Sequence, residues 1–185
     1  MRVFVPLANG FEEIEALTAI DVLRRGLVEV VTASLTGERN VVGAHGVSVL
    51  ADTSMDELER EINSFGALLL PGGGEGTSNL MRDERLLSII RKFVREEKFV
   101  CAICAAPMVL AKAGVLEGRR ATCYPAPSCV EALGEAYDEA PVIVDGNIVT
   151  GSGPGSAMLF SFITLSCLAG EPVARKVAEG MLTTF

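Results

Sequence analysis

Four short, almost wholly apolar runs are spaced along this chain: Arg2 to Leu7, Val28 to Ala33, Gly66 to Leu70 and Phe99 to Ile103. A strand without polar alternation is buried on both faces, which is the habit of a parallel sheet covered on each side. Helical patterns separate the runs. In Glu12 to Arg25, Ala16, Ala19, Ile20 and Leu23 recur at helical spacing. The acidic start of that segment (Glu12 and Glu13, read as surface acids) and its basic end (Arg24, Arg25) suit the helix dipole. Met55 to Ile62 reads as a short helix, Asp83 to Glu97 as a longer one, and Ala105 to Ala113 as a helix directly after the fourth run. The alternation predicts an α/β fold: a three-layer sandwich with a mainly parallel central sheet.

The remainder is less regular. Val41 to Ala51 suits short antiparallel pieces, and Asp145-Gly146 within Val142 to Val149 is a hairpin signal. Ser128 to Leu133 is a brief, exposed helix in this reading, and a last helix follows Pro172. Ser156 to Leu168 is apolar nearly all round, so it is either core or a subunit interface. No repeat or linker divides the 185 residues, so residues 1–185 are expected to form a single domain.

Charge narrows the possible partners. Sixteen Lys and Arg against 24 Asp and Glu leave a net charge of −8, which argues against binding a nucleic-acid backbone. With one histidine, a His-rich metal centre cannot be built, and no metal is expected. The N-terminal segment lacks the apolar core and cleavage site of a signal peptide, and no apolar run reaches the ~20 residues that cross a bilayer. No membrane association is expected, and the location expected is the cytoplasm. The five cysteines follow no framework spacing and read as reduced thiols.

One cysteine stands apart. In a parallel α/β sheet, ligands bind beyond the carboxyl ends of the strands. There the topology gathers Asn9 and Gly10, the Gly72-Gly73-Gly74 turn, and Cys104. Ala102-Ile103-Cys104-Ala105-Ala106-Pro107 joins a strand to a helix by a sharp turn, with small residues on either side of the cysteine. This is the pattern of a nucleophile elbow. A thiol at a helix start is expected to titrate below its free value of ~8.5. The N–H groups of Gly73 and Ala105 are candidates to hold an oxyanion. Glu15 lies in the first turns of its helix, on the sheet-facing side with Ala19 and Val22. A carboxyl there, buried beside a thiol, is expected to hold its proton and shuttle it.

The other candidates divide. Tyr124 reads either as pocket lining or as packing, and His45 either as a surface or interface residue or as a support near the pocket. Cys101 and Cys167 read as core. Cys123 reads as structural rather than as a resolving thiol, and Cys129 falls in the brief helix.

Gly10-Phe11-Glu12-Glu13-Ile14-Glu15, Leu70-Pro71-Gly72-Gly73, Ala102-Ile103-Cys104-Ala105-Ala106-Pro107 and Gly153-Pro154-Gly155 occur in that order. In these segments the chain resembles the ThiJ/PfpI superfamily, in the branch of the parkinsonism-associated deglycase and the bacterial YajL-like proteins. The resemblance implies a flavodoxin-like homodimer. It puts the nucleophile on Cys104, the protonated carboxyl on Glu15 and the oxyanion amides on Gly73 and Ala105. Gly72, Tyr124, His45 and Asn9 are the candidates to line the substrate pocket. The resemblance also implies a cofactor-independent glyoxalase or deglycase acting on methylglyoxal-type α-oxoaldehydes or on glycated adducts. An oxidative-stress sensor or chaperone working through oxidation of Cys104 is the alternative. A legacy label of the family, thiazole-phosphate synthesis for thiamine, finds no basic phosphate cluster here. Ala105 stands where the protease-like branch has His, which argues against a Cys–His peptidase.

Overall fold

The computed structural model describes residues 1–185, with every side chain except that of Glu59. Nine strands form: β1 (Arg2–Leu7), β2 (Glu29–Ser34), β3 (Asn40–Val42), β4 (Ser48–Leu50), β5 (Thr53–Ser54), β6 (Ala67–Leu70), β7 (Phe99–Ile103), β8 (Val142–Asp145) and β9 (Ile148–Gly151). Eight helices accompany them: α1 (Glu13–Arg25), α2 (Met55–Leu58), α3 (Gly74–Arg82), α4 (Glu84–Arg95), α5 (Pro107–Ala113), α6 (Pro127–Leu133), α7 (Ala157–Ala169) and α8 (Glu171–Gly180).

The main sheet runs β5-β2-β1-β6-β7-β9-β8, and only the β8–β9 pair is antiparallel. Its strands alternate between two cores. Val3, Val5, Leu7, Leu69, Cys101 and Ile103 pack toward α1, α7 and α8. Phe4, Leu68, Leu70, Val100 and Ala102 pack toward α4, α5 and α6. The three layers and the mainly parallel sheet agree with the sequence expectation. Phe4 anchors the second core by edge-on contacts with Phe65 and Phe93 at 5.6 and 6.0 Å, the favoured aromatic geometry. β3 and β4 form a separate antiparallel hairpin. Among the described residues, no helix is long and apolar enough to cross a membrane.

Several local expectations are corrected. The Gly72-Gly73-Gly74 turn opens directly into α3, which the sequence hides because Gly, Thr, Ser and Asn fill it. Burial of Thr77 and Leu80 sustains that helix against poor propensity. The helix expected over Met55 to Ile62 is α2 followed by a 3₁₀ segment, Glu59–Ser64. Cys129 is buried in the second core rather than exposed on its helix. Glu12 and Glu13, read as surface acids, are each only 7% exposed, because the β3–β4 hairpin folds over the start of α1.

Candidate active site

β7 carries the chain to the carboxyl edge of the sheet, where it turns through Cys104–Ala106 before α5 begins at Pro107. Cys104 adopts φ 65°, a left-handed conformation that few side chains accept. Two hydrogen bonds hold it: its N–H donates to Gly151 O at 2.9 Å, and its carbonyl accepts from Tyr124 N–H at 2.8 Å. Ala102 and Ala106 are fully buried on either side, so the turn admits no larger neighbours without rearrangement. A strained, over-determined nucleophile position is what an elbow requires.

Glu15 reaches the same point from α1. Glu12 caps that helix, its Oε2 accepting the Glu15 N–H at 2.8 Å. The cap is docked in turn on the Gly-rich segment: Glu12 N–H donates to Gly72 O at 3.0 Å, and Gly76 N–H to Gly10 O at 3.1 Å. Glu15 is 0% exposed. Its Oε2 accepts the Gly72 N–H at 2.8 Å, while its Oε1 has no hydrogen-bond partner among the described residues.

Gly72 makes this closeness possible. A Cβ there would lie 2.7 Å from the Cys104 Cβ, 2.7 Å from Glu15 Oε2 and 2.9 Å from Ile103 O. Any side chain would force the acid and the cysteine apart. Gly73, at φ 93°, has no room for one either, since a Cβ would collide with Gly10 O.

The electrostatics correct one expectation and support another. Burial pushes the Glu15 carboxyl up to about 7, helped by the charge of Glu12, while the Cys104 thiol and the Gly72 N–H oppose the rise. A proton on Glu15 near neutrality is therefore within reach, as expected. The Cys104 thiol, however, is pushed up to about 12, not down. Burial is the largest cause, followed by the Glu15 carboxylate through charge and hydrogen bonding. The N–H groups of Ala105 and Gly73 pull the other way. α5 begins too far along the chain, and is too short, to overcome burial. The two groups titrate as a pair. Both influences of Glu15 on the thiol require a carboxylate, so a proton on Glu15 removes them and leaves the two amides acting on the sulfur.

The structure thus brings together Cys104, Glu15, Gly72, Gly73 and Ala105. Tyr124 is adjacent through its backbone and is 47% exposed, its ring lying over Gly153. Asn9 spends its side chain on the hairpin, accepting Val42 N–H at 3.0 Å. His45 is turned to Glu13, with Nδ1 at 2.8 Å from Oε2. Neither of those two is brought to the sulfur by any hydrogen bond. Sequence reasoning missed Glu12, which both caps α1 and sets a negative charge against Glu15. An acid directly before the first helical turn was the available signal.

A family model described as the DJ-1/PfpI family matches residues 1–166. Protein dj-1beta of Drosophila melanogaster is 38% identical over 183 residues, covering 98% of this chain and 96% of that protein. Deglycase PH1704 of Pyrococcus horikoshii is 37% identical over 170 residues, covering 89% of this chain and 99% of that one. The chain spans only 41% of the length of Protein DJ-1 homolog B of Arabidopsis thaliana, to which it is 36% identical over 182 residues. Among solved structures, oxidized Toxoplasma gondii DJ-1 superposes with a TM-score of 0.92 at 34% identity, covering 100% of this chain and 99% of that one. The fold is the flavodoxin-like α/β fold of these proteins, and the chain belongs to the DJ-1/PfpI family.

Proposed function

We propose that the protein is a cofactor-independent, cysteine-dependent glyoxalase or deglycase of the cytoplasm, acting on methylglyoxal-type α-oxoaldehydes or their adducts. The observation that carries this reading is the Cys104 sulfur on its strained elbow, against a fully buried Glu15 whose Oε1 has no partner. The name of the Pyrococcus relative, a deglycase, supports the same class. All five cysteines are free, as a reducing compartment keeps them.

The chemistry follows from the pair. The Cys104 sulfur adds to the aldehyde carbon of methylglyoxal, and the thiol proton passes to the aldehyde oxygen, giving a hemithioacetal. The Gly73 and Ala105 amides hold that oxygen while it carries charge. Glu15 as carboxylate removes the hydrogen from the sulfur-bearing carbon and returns it to the neighbouring carbon, while the hydroxyl proton on the first oxygen passes to the ketone oxygen. The result is a thioester of lactate on Cys104. Water cleaves it, releasing lactate and restoring the thiol. The sum is methylglyoxal plus water to lactate, so no cofactor or outside oxidant is needed. Lactate release by the wild type, with none from Cys104→Ser and little from Glu15→Gln, is the expected result; equal release from all three overturns the reading.

A second reading, an oxidation sensor, draws on the same amides, which suit oxygen added to sulfur, and on the oxidized state of the Toxoplasma structure. Mild peroxide should then add two oxygens at Cys104 alone, with no turnover of aldehydes. We further propose a homodimer in which a second copy covers Ile14 and Leu17, which are exposed on α1 beside the site. Sedimentation of Leu17→Lys as a monomer, against a wild-type dimer, tests it.

A further inference from the structure

Apart from the Cys104–Glu15 pair, hydrogen-bond donors gather at a second point on the carboxyl edge of the sheet. The loop after β1, the loop after β2 and the end of α3 enclose a cavity of about 440 Å³. It is lined by Ala8, Asn9, Leu35, Thr36, Asn79 and Arg82. That volume falls in the range of small-molecule sites. α1 leaves β1 on one face of the sheet, and α3 leaves the neighbouring β6 on the other. The chain therefore reverses its direction across the sheet here, and crevices at such points take ligands. Ala8 belongs to the second core and Leu35 packs against it, whereas Cys104 belongs to the first. The cavity is thus distinct from the site at the sulfur.

The balance of donors and acceptors is the second observation. Asn79 is oriented by two partners: its Nδ2 donates to Asn9 O at 3.0 Å, and its Oδ1 accepts from Arg82 at 3.4 Å. That one long contact leaves most N–H groups of the Arg82 guanidinium without an acceptor. Acids outnumber bases 24 to 16 in this chain, yet among the described residues Arg82 forms no ion pair. The adjacent Asp83 does not serve it. Its oxygens are taken by the Arg85 guanidinium and by the N–H groups of Arg85 and Leu86. Asn9 gives its Oδ1 to the hairpin and keeps Nδ2 unspent. The backbone N–H groups of Asn9 and Thr36 also donate to nothing among the described residues. A cavity with such a surplus of donors suits an anion.

We propose that this cavity binds a small organic monocarboxylate with a short apolar body. The carboxylate meets the Arg82 guanidinium in two parallel hydrogen bonds, the geometry that those two planar groups share. Asn9 and Thr36 add neutral donors, and Ala8 and Leu35 meet the apolar part. One guanidinium balances one negative charge. A phosphate dianion would keep an unbalanced charge beside Asp83, in a chain whose net charge is −8, so the monocarboxylate is the better match.

The test uses the whole chain carrying Cys104→Ser, so that the thiol contributes nothing and a failure here leaves the catalytic reading untouched. Isocaproate titrated into isotope-labelled protein should shift the amide NMR signals of Asn9 and Thr36 and the Nε–H signal of Arg82, with saturation. The signals of Gly73 and Ala105 should stay in place. Arg82→Gln in the same background should weaken isocaproate binding about tenfold or more with an unchanged circular dichroism spectrum. Isocaproamide, which keeps the shape and lacks the charge, should bind more weakly by a similar factor. Absence of saturable shifts, equal affinity after Arg82→Gln, or saturable shifts at Gly73 and Ala105 instead, overturns the proposal. Tighter binding of inorganic phosphate than of isocaproate overturns it as well.

Discussion

Cys101 and Cys104 stand near each other on one strand end, both buried, and both thiols are pushed up to about 12. Their surroundings differ. Cys101 lies in the core with Thr164 and Cys167 about it, and burial dominates its shift. Cys104 adds the Glu15 carboxylate above it and two backbone amides beside it. For Cys101 only a hydrogen bond with the Thr164 hydroxyl opposes the cost of ionisation, and that neighbour cannot change its charge. For Cys104, moving one proton onto Glu15 removes two of the causes at once. The resting titration of a thiol therefore says less about reactivity than whether its neighbours can change state.

The largest expected effect separates the two cysteines outright. Cys104→Ser should lower lactate release from methylglyoxal by at least about a hundredfold. Cys101→Ala should leave turnover within about twofold and cost about 1 kcal/mol of stability in urea melts. Similar losses of activity from both would erase the distinction.

Glu15→Gln sharpens it. Turnover should fall by about a hundredfold, as for loss of a general base. Alkylation of Cys104 by iodoacetamide near neutral pH should nevertheless speed up, because the repelling charge is gone, while Cys101 stays unlabelled. In the wild type, labelling of Cys104 should rise with pH through the alkaline range, without a plateau near neutrality.

The same substitution has a signature in stability. Burial holds the Glu15 carboxyl at about 7 in the folded protein against an ordinary value of 4.5, so its neutral form favours the fold. That contribution is complete below pH 4.5 and is lost as pH rises through 7. Wild type should therefore lose about 3 kcal/mol relative to Glu15→Gln between pH 4 and neutrality. Parallel pH curves for the two proteins would contradict a buried carboxyl of this kind. Gly72→Ala, which wedges a methyl between Cys104 and Glu15, should cost about 1–3 kcal/mol and reduce turnover. Smallest of all, Tyr124→Phe should change kcat/KM by less than about twofold, since the Tyr124 hydroxyl donates to nothing among the described residues.

Particular residues show what could be read before the structure. Phe99 to Ile103 followed at once by Cys104 and Pro107 announces strand, turn and helix, because apolar runs and a proline at a helix start are local signals. The sheet-facing position of Glu15 follows from helical periodicity with Ala19 and Val22. Glu12 and Glu13 gave no such sign: their burial depends on a hairpin more than twenty-five residues away in sequence. α3 was hidden for a related reason, since packing against the second core overrides the poor helix propensity of Gly74 to Asn79.

The amino-acid order by itself determined the parallel sheet, the elbow and the identity of the acid and the thiol, because these follow from periodicities and turn chemistry within a few residues. Only the tertiary structure decided their ionisation. How far water is excluded from Glu15 and Cys104, and which amides face the sulfur, depend on segments brought together from residues 10–15, 72–73 and 104–105. Desolvation is a property of the assembled packing and not of any local stretch of chain.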